Sequence, residues 1–363
     1  MSKRLPAALA VAAFLFAGCT KAAAPTDTAS QPTDQLNQVV DSDPSAENMA
    51  KQCTAGVPFT GRTLKVVTSI APVTSLVGQL VSGTGISVEG IIPESANGHT
   101  YKLTPMDTSL IAEADVIISV GLRMEGDFTD AAASMAKEDA MVCELGTAAI
   151  SRSDFLFDTT FTKENDVPNP HVWMNPEILL RFLNHARDAI TTRATADVDR
   201  VDANYVKLSQ QALDLDAAMV TATATVPARN TSLYLFHDSL AYFAAHFKYQ
   251  IGLVVQPPSM DDPTPAQVAD AVATMSSDKA TVLFGNTEFP GDFHDEIALQ
   301  AGAKVEMISD ENLPGTPGSA DHTYGAMLKK TFTTIVTALG GDASALRALD
   351  VDLGLEDKAD YGG

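Results

Sequence analysis

Cysteine, tryptophan and positive charge are what this chain has least of: 3 Cys, 1 Trp and 24 Lys+Arg among 363 residues, against 46 Asp+Glu, for a formal charge of -22. So acidic a chain lacks the basic footprint that phosphate binding needs, which excludes nucleic acid as a partner. The acid excess reads as a solvated surface and is not by itself a cation site. No His-Glu-x-x-His helix or other compact catalytic motif occurs, so an enzyme reading has little to stand on. No apolar run reaches the roughly 20 residues that a bilayer-crossing helix requires.

The sustained apolar run at residues 5–17 follows Lys3 and Arg4 and is an address label rather than part of the fold. It ends in Phe16-Ala17-Gly18-Cys19, which resembles the site at which bacterial lipoproteins are cut and lipidated on the new N-terminal cysteine. Residues 1–18 are therefore expected to be a signal peptide and Cys19 a lipid anchor, with the rest facing the extracytoplasmic side. Removing Lys3 and Arg4, and no acid, takes the formal charge from -22 to -24. Cys53 and Cys143 remain. In an oxidising compartment one disulfide between them is expected, the alternative being two unrelated buried thiols.

Residues 19–59 are rich in Ala, Pro, Thr, Ser, Asp and Gln and read as a flexible tether. Beyond residue 60 short β-branched runs alternate with helical patterns, which predicts an α/β fold with mostly parallel sheets flanked by helices. Strands are expected over 64–69, 86–92, 116–120 and 140–144 in an N-terminal lobe of residues 60–195. A second set over 233–236, 251–255, 281–284 and 305–308 makes a C-terminal lobe of residues 224–345, followed by an acidic tail at 346–363. Thr104-Pro105-Met106-Asp107, Thr264-Pro265-Ala266-Gln267 and Asn175-Pro176 mark helix starts, each placing a capping side chain before a proline at the first helical position. Between the lobes, Val198, Val201, Tyr205, Leu208, Ala212, Leu215 and Met219 recur at spacings of three and four, which predicts one long rigid helix over 196–223.

Of 7 histidines, three stand where a strand or short loop meets a turn or helix start: His99, His171 and His237. Such positions fit the rule that ligands gather outside the carboxyl ends of parallel strands. His185, His246 and His294 lie in helical patterns and His322 in a Gly/Pro/Ser-rich loop, where structural roles are expected. Asp310 closes the run Lys304-Val305-Glu306-Met307-Ile308-Ser309 on the corresponding edge of the second lobe. Two groups from each lobe would close around one cation, and three imidazoles with one carboxylate suit Zn2+ while tolerating Mn2+ or Fe2+.

These residues resemble the Zn2+/Mn2+-binding solute receptors of metal-importing ABC transporters. The resemblance spans about residues 62–340. It rests on Val66-Val67-Thr68-Ser69-Ile70-Ala71-Pro72, Gly98-His99-Thr100-Tyr101 with Thr104-Pro105, and Ala112-Glu113-Ala114-Asp115. Pro170-His171-Val172-Trp173-Met174-Asn175-Pro176, His237-Asp238-Ser239-Leu240-Ala241-Tyr242-Phe243 and Ser309-Asp310 complete it. It implies metal ligation by His99, His171, His237 and Asp310, and two α/β lobes joined by a rigid helix. Zinc-specific members often carry a His-rich loop before the second ligand, and residues 151–169 contain no histidine. Manganese-specific members usually have Glu at the third position, where this chain has His237. Zn2+ is accordingly ranked first, with Mn2+ or Fe2+ as alternatives.

The expected partners are an ABC transporter membrane permease and, through the lipid anchor, the membrane; the protein itself is expected to be a monomer. Asp238 and Glu288 are candidates to orient the histidine rings. Protons should displace the metal below about pH 6.5, the ordinary pKa of imidazole. A zinc hydrolase using the same histidines is the runner-up and would need an open coordination position and a placed acid. A surface adhesin is a third reading, with only surface anchoring behind it.

Overall fold

Three of the four residues of β1 (Lys65–Thr68) and all four of β3 (Val116–Ser119) are buried. Strands apolar on both faces belong inside a parallel sheet covered by helices on either side, and that is their place in the computed structural model, which describes residues 44–289 and 292–362. β1 and β3 pair with each other and, outward, with β2 (Ser87–Gly90) and β4 (Met141–Glu144), every pair parallel, in the order β2-β1-β3-β4. Helices α2 (Ala71–Leu80), α3 (Pro105–Glu113) and α4 (Gly126–Met135) make the crossovers. The capping box read at Thr104 forms, with the Thr104 hydroxyl accepting from Asp107 N and the Asp107 carboxylate accepting from Thr104 N.

The second lobe repeats the design. β5 (Ser232–Leu235), β6 (Gln250–Val254), β7 (Val282–Asn286) and β8 (Lys304–Ile308) form a parallel sheet in the order β6-β5-β7-β8. Its crossovers are α8 (Ala241–Phe247), α9 (Pro265–Asp278) and α10 (Phe293–Ala301). In both sheets the strand order reverses between the first and third strands, which opens a crevice at their carboxyl ends.

Between the lobes, α6 (Pro176–Arg193) leads to α7 (Val198–Thr223), whose 26 residues extend about 39 Å at 1.5 Å per residue. The expected apolar stripe is buried along α7, from Val201 through Tyr205, Leu208, Ala212 and Leu215 to Met219. It packs on α2 and α6 of one lobe and on α8, α11 (Tyr324–Ala338) and α12 (Ser344–Arg347) of the other. Asn204 also donates to the carbonyls of Leu80 and Ser82, tying α7 to the end of α2.

One expectation about the ends of the fold is corrected. The tether was drawn to residue 59, yet α1 (Pro44–Gln52) lies within it and packs on β4 and on α5 (Leu145–Ala149). Composition missed this helix because its hold comes from distant residues: Cys53 is bonded to Cys143 of β4, and Met49 Sδ accepts from Glu144 N. At the other end the acidic tail is docked, because its backbone finds partners: Gln211 and Lys207 of α7 donate to the carbonyls of Val351 and Leu353. Asp360 then adds a bridge beside β2. The signal peptide, Cys19 and the tether up to residue 43 lie outside the described residues. Among the described residues no helix is long and apolar enough to cross a membrane.

Candidate metal centre

His99 sits on the loop after β2, in a turn closed by Asn97, whose side-chain oxygen accepts from His99 N at 2.8 Å. Glycine before it leaves room for its neighbours, since a Cβ on Gly98 would stand 2.9 Å from both Glu311 Oε2 and Met124 Cε and push those side-chain ends aside. Gly98 N donates to Glu311 Oε2 at 2.8 Å, so this loop of the first lobe is bonded to the second lobe directly beside Asp310.

His171 follows Asn169, and that amide's orientation is forced. Asn169 Nδ2 donates to Asp158 Oδ2 and to the Asp238 carbonyl, so its oxygen faces His171 and accepts from both the backbone N and Nδ1, at 2.9 and 3.0 Å. His237, at the carboxyl end of β5, has Nδ1 2.5 Å from Gln256 Oε1. An amide oxygen can only accept, so both rings carry their proton on Nδ1 and turn a bare Nε2 lone pair inward. These lone pairs meet. His171 Nε2 lies 3.0 Å from His237 Nε2 and 3.2 Å from His99 Nε2, and one nitrogen from each of the three rings falls within 4.8 Å of the others. Two lone pairs at such a distance repel unless a cation or a shared proton lies between them.

Asp310, just past β8, stands outside that circle, with Oδ2 3.8 Å from His171 Nε2. Its Oδ1 accepts from Asn286 Nδ2 at 2.5 Å, whereas Oδ2 is buried without a hydrogen-bond partner. Its main-chain oxygen is held by Trp173 Nε1 at 2.8 Å, a further bond from first lobe to second. A buried acceptor left unsatisfied is costly, so this oxygen also calls for a positive partner.

Burial disfavours charge on every one of these groups. It pushes His99 and His171 well below the ordinary imidazole range, with neighbouring rings adding to the effect. His237 is lowered to about 4, mainly by burial, although its bond to Gln256 opposes this. Burial, and then the nearby Glu288, push Asp310 well above the usual carboxylate range. The surroundings are aromatic: Phe161 packs on His99 and His171, Trp173 on His171 and Phe289 on His237.

Asp238 and Glu288 do not orient the rings. Asp238 faces Asp158, and burial together with that contact holds its carboxyl well above the usual range. Glu288 Oε1 accepts from the backbone N of Glu311 and Asn312 and so shapes the turn after Asp310. The ring partners are the amides Asn169 and Gln256, and Asn286 restrains Asp310; none carries a period or motif by which sequence could single it out. Phe161 comes from the 151–169 loop. The other four histidines are elsewhere: His185, His246 and His294 on α6, α8 and α10, and His322 on Glu94 at 2.9 Å.

The family described as zinc-uptake complex component A, periplasmic, matches residues 66–338. This chain belongs to that family. Its relatives include the manganese-binding lipoprotein MntA of Halalkalibacterium halodurans, 22% identical over 78% of this chain and 91% of its own length. The iron-binding protein YfeA of Yersinia pestis is 22% identical over 77% of this chain and 88% of its own. In structure the chain is similar to the periplasmic zinc-binding protein TroA of Treponema pallidum, with a TM-score of 0.69 at 19% identity over 77% of this chain and 99% of that one. A crystal structure of ZnuA gives 0.64 at 20% identity over 77% and 100%. Both share the two-lobed fold. The chain is thus a metal-binding component of an import system that works outside the cytoplasm, and not an enzyme.

Proposed function

We propose that this protein captures Zn2+ between its lobes, with His99, His171, His237 and Asp310 as ligands, and hands it to the membrane permease of an ABC importer while anchored to the membrane as a monomer through lipidated Cys19. The observation that carries the ligand set is the convergence of inward-facing Nε2 atoms beside a buried carboxylate oxygen that lacks a partner. Zinc is favoured by donor number and type. With Oδ1 occupied by Asn286, Asp310 has one oxygen to give, so three nitrogens and one oxygen make the four-coordinate set that Zn2+ prefers. Mn2+, which favours oxygen donors and more of them, is served less well. Four protein ligands fill a tetrahedral shell, which suits holding rather than hydrolysis. Release then requires a state of the receptor with lower affinity, which permease docking would favour.

Elemental analysis of the purified protein, followed by calorimetric titration of the metal-free form with Zn2+ and Mn2+, tests this. Stoichiometric zinc with tighter Zn2+ than Mn2+ binding is expected. Tighter Mn2+ binding would overturn the zinc assignment, and no binding of either ion would overturn the site.

A further inference from the structure

The segment past α12 lies beyond the part of the chain that matches the family, at residues 66–338, yet it is built into the first lobe. Asp360 N donates to the Val88 carbonyl at 3.0 Å and Gly90 N donates to the Asp360 carbonyl at 2.7 Å, which extends the edge of β2. Tyr361 is buried, donates to Asp357 Oδ2 at 2.5 Å and packs edge-on against the His322 ring, with centroids 4.5 Å apart. A place is kept for this segment in α2. A Cβ on Gly78 would stand 2.1 Å from Asp357 Oδ1, so α2 carries glycine in its interior, where glycine weakens a helix, at the point where Asp357 sits.

From Tyr361 the contacts lead towards the metal centre. His322 donates to Glu94 Oε2 at 2.9 Å, and Glu94 Oε1 accepts from Leu313 N at 2.9 Å. The next residue, Ser95, holds a left-handed backbone at φ 70 while its N donates to Asn312 Oδ1 at 2.7 Å. This loop ends at His99, and the residues it grips in the second lobe directly follow Asp310. The first and fourth proposed ligands are therefore held together by a loop whose far side rests on His322 and Tyr361.

We infer that residues 349–361 form a brace that holds the His99 loop against the second lobe and so sets how slowly the metal leaves, with Glu94, His322 and Tyr361 as its positioning residues. The inference rests on the metal-receptor reading of the site. None of the three touches the ion; the brace acts on the opening of the loop, so it governs the release rate more than the identity of the bound metal.

The test uses the full-length, Zn2+-loaded protein, with transfer of zinc to an excess of a fluorescent chelator read over time and hydrogen exchange read at residues 94–99. Glu94→Ala and Tyr361→Ala should each release zinc about tenfold faster, the effect of losing one or two partly buried hydrogen bonds. Tyr361→Phe, which keeps the ring on His322, should show a smaller increase. Exchange should quicken at 94–99 in all three. Gly78→Ala displaces Asp357 without substituting any residue of the tail or the site, and should speed release to the same extent, so the test survives if Tyr361→Ala does not fold. Wild-type release and exchange in folded Gly78→Ala and Glu94→Ala would overturn the brace. Failure of the unaltered chain to hold Zn2+ would instead overturn the metal reading.

Discussion

Acid should loosen the metal far less than a cluster of ordinary histidines would allow. Three imidazoles of ordinary pKa near 6.5 would together cost about four orders of magnitude in affinity between pH 7 and pH 5, because protons compete at every ring. In this site burial has already removed those protons. His237, lowered to about 4, is still almost wholly neutral at pH 5 and through competition at this ring costs about a tenth of the affinity. His99 and His171 are lowered well below the ordinary value in the same way. Asp310 works in the opposite sense. Its raised pKa favours the protonated carboxyl in the metal-free site, and an arriving cation competes with that proton. Affinity therefore increases with pH up to that pKa and falls as pH drops below it, by at most about tenfold per unit for one proton. Between pH 7 and 5 the loss should therefore fall well short of four orders of magnitude, with fewer than three protons released per metal bound. Calorimetric titration in buffers of different ionisation enthalpy counts those protons directly. Release of three protons, or a loss of four orders of magnitude, would show that the rings are not desolvated as the structure has them.

Replacing His99, His171 or His237 by Ala should cost more than the roughly 10–100-fold typical of a residue behind the ligands, whereas His185→Ala and His294→Ala should bind almost as wild type; calorimetry with Zn2+ decides it. Asn286→Ala frees Asp310 Oδ1, and the preference for Zn2+ over Mn2+ should narrow by about tenfold, the worth of one charge-assisted hydrogen bond, in paired titrations. Cys53→Ser opens a bridge between residues 90 apart and should lower unfolding stability by about 2–5 kcal/mol in denaturant titration while leaving Zn2+ affinity unchanged.

Periodicity and punctuation made most of the fold legible. The stripe on α7 and the Thr-Pro starts of α3 and α9 are local physics, in which side-chain spacing and a capping hydroxyl act within a few residues of each other. The strand runs announced themselves for the same reason, although their ends moved by a residue or two, as where 64–69 shortened to Lys65–Thr68 and 305–308 gained Lys304. Candidate ligands could be picked out because His99, His171, His237 and Asp310 follow strands or open turns, where parallel sheets present side chains to a crevice, and because the flanking motifs resemble a family. What the chain could not disclose is every contact joining distant parts. That Asp158 and Asp238 turn Asn169 toward His171, that Gln256 aims His237, that Asn286 leaves Asp310 a single free oxygen, and that Tyr361 ends up against His322 depend on residues brought together from 11 to 69 positions apart. The same holds for ionisation: a histidine has one ordinary pKa in the sequence, and only burial among other rings and phenyl groups sets it near 4 at His237. Local pattern determined the elements and nominated the ligands. Packing alone decided their protonation, their orientation and what holds the two lobes around them.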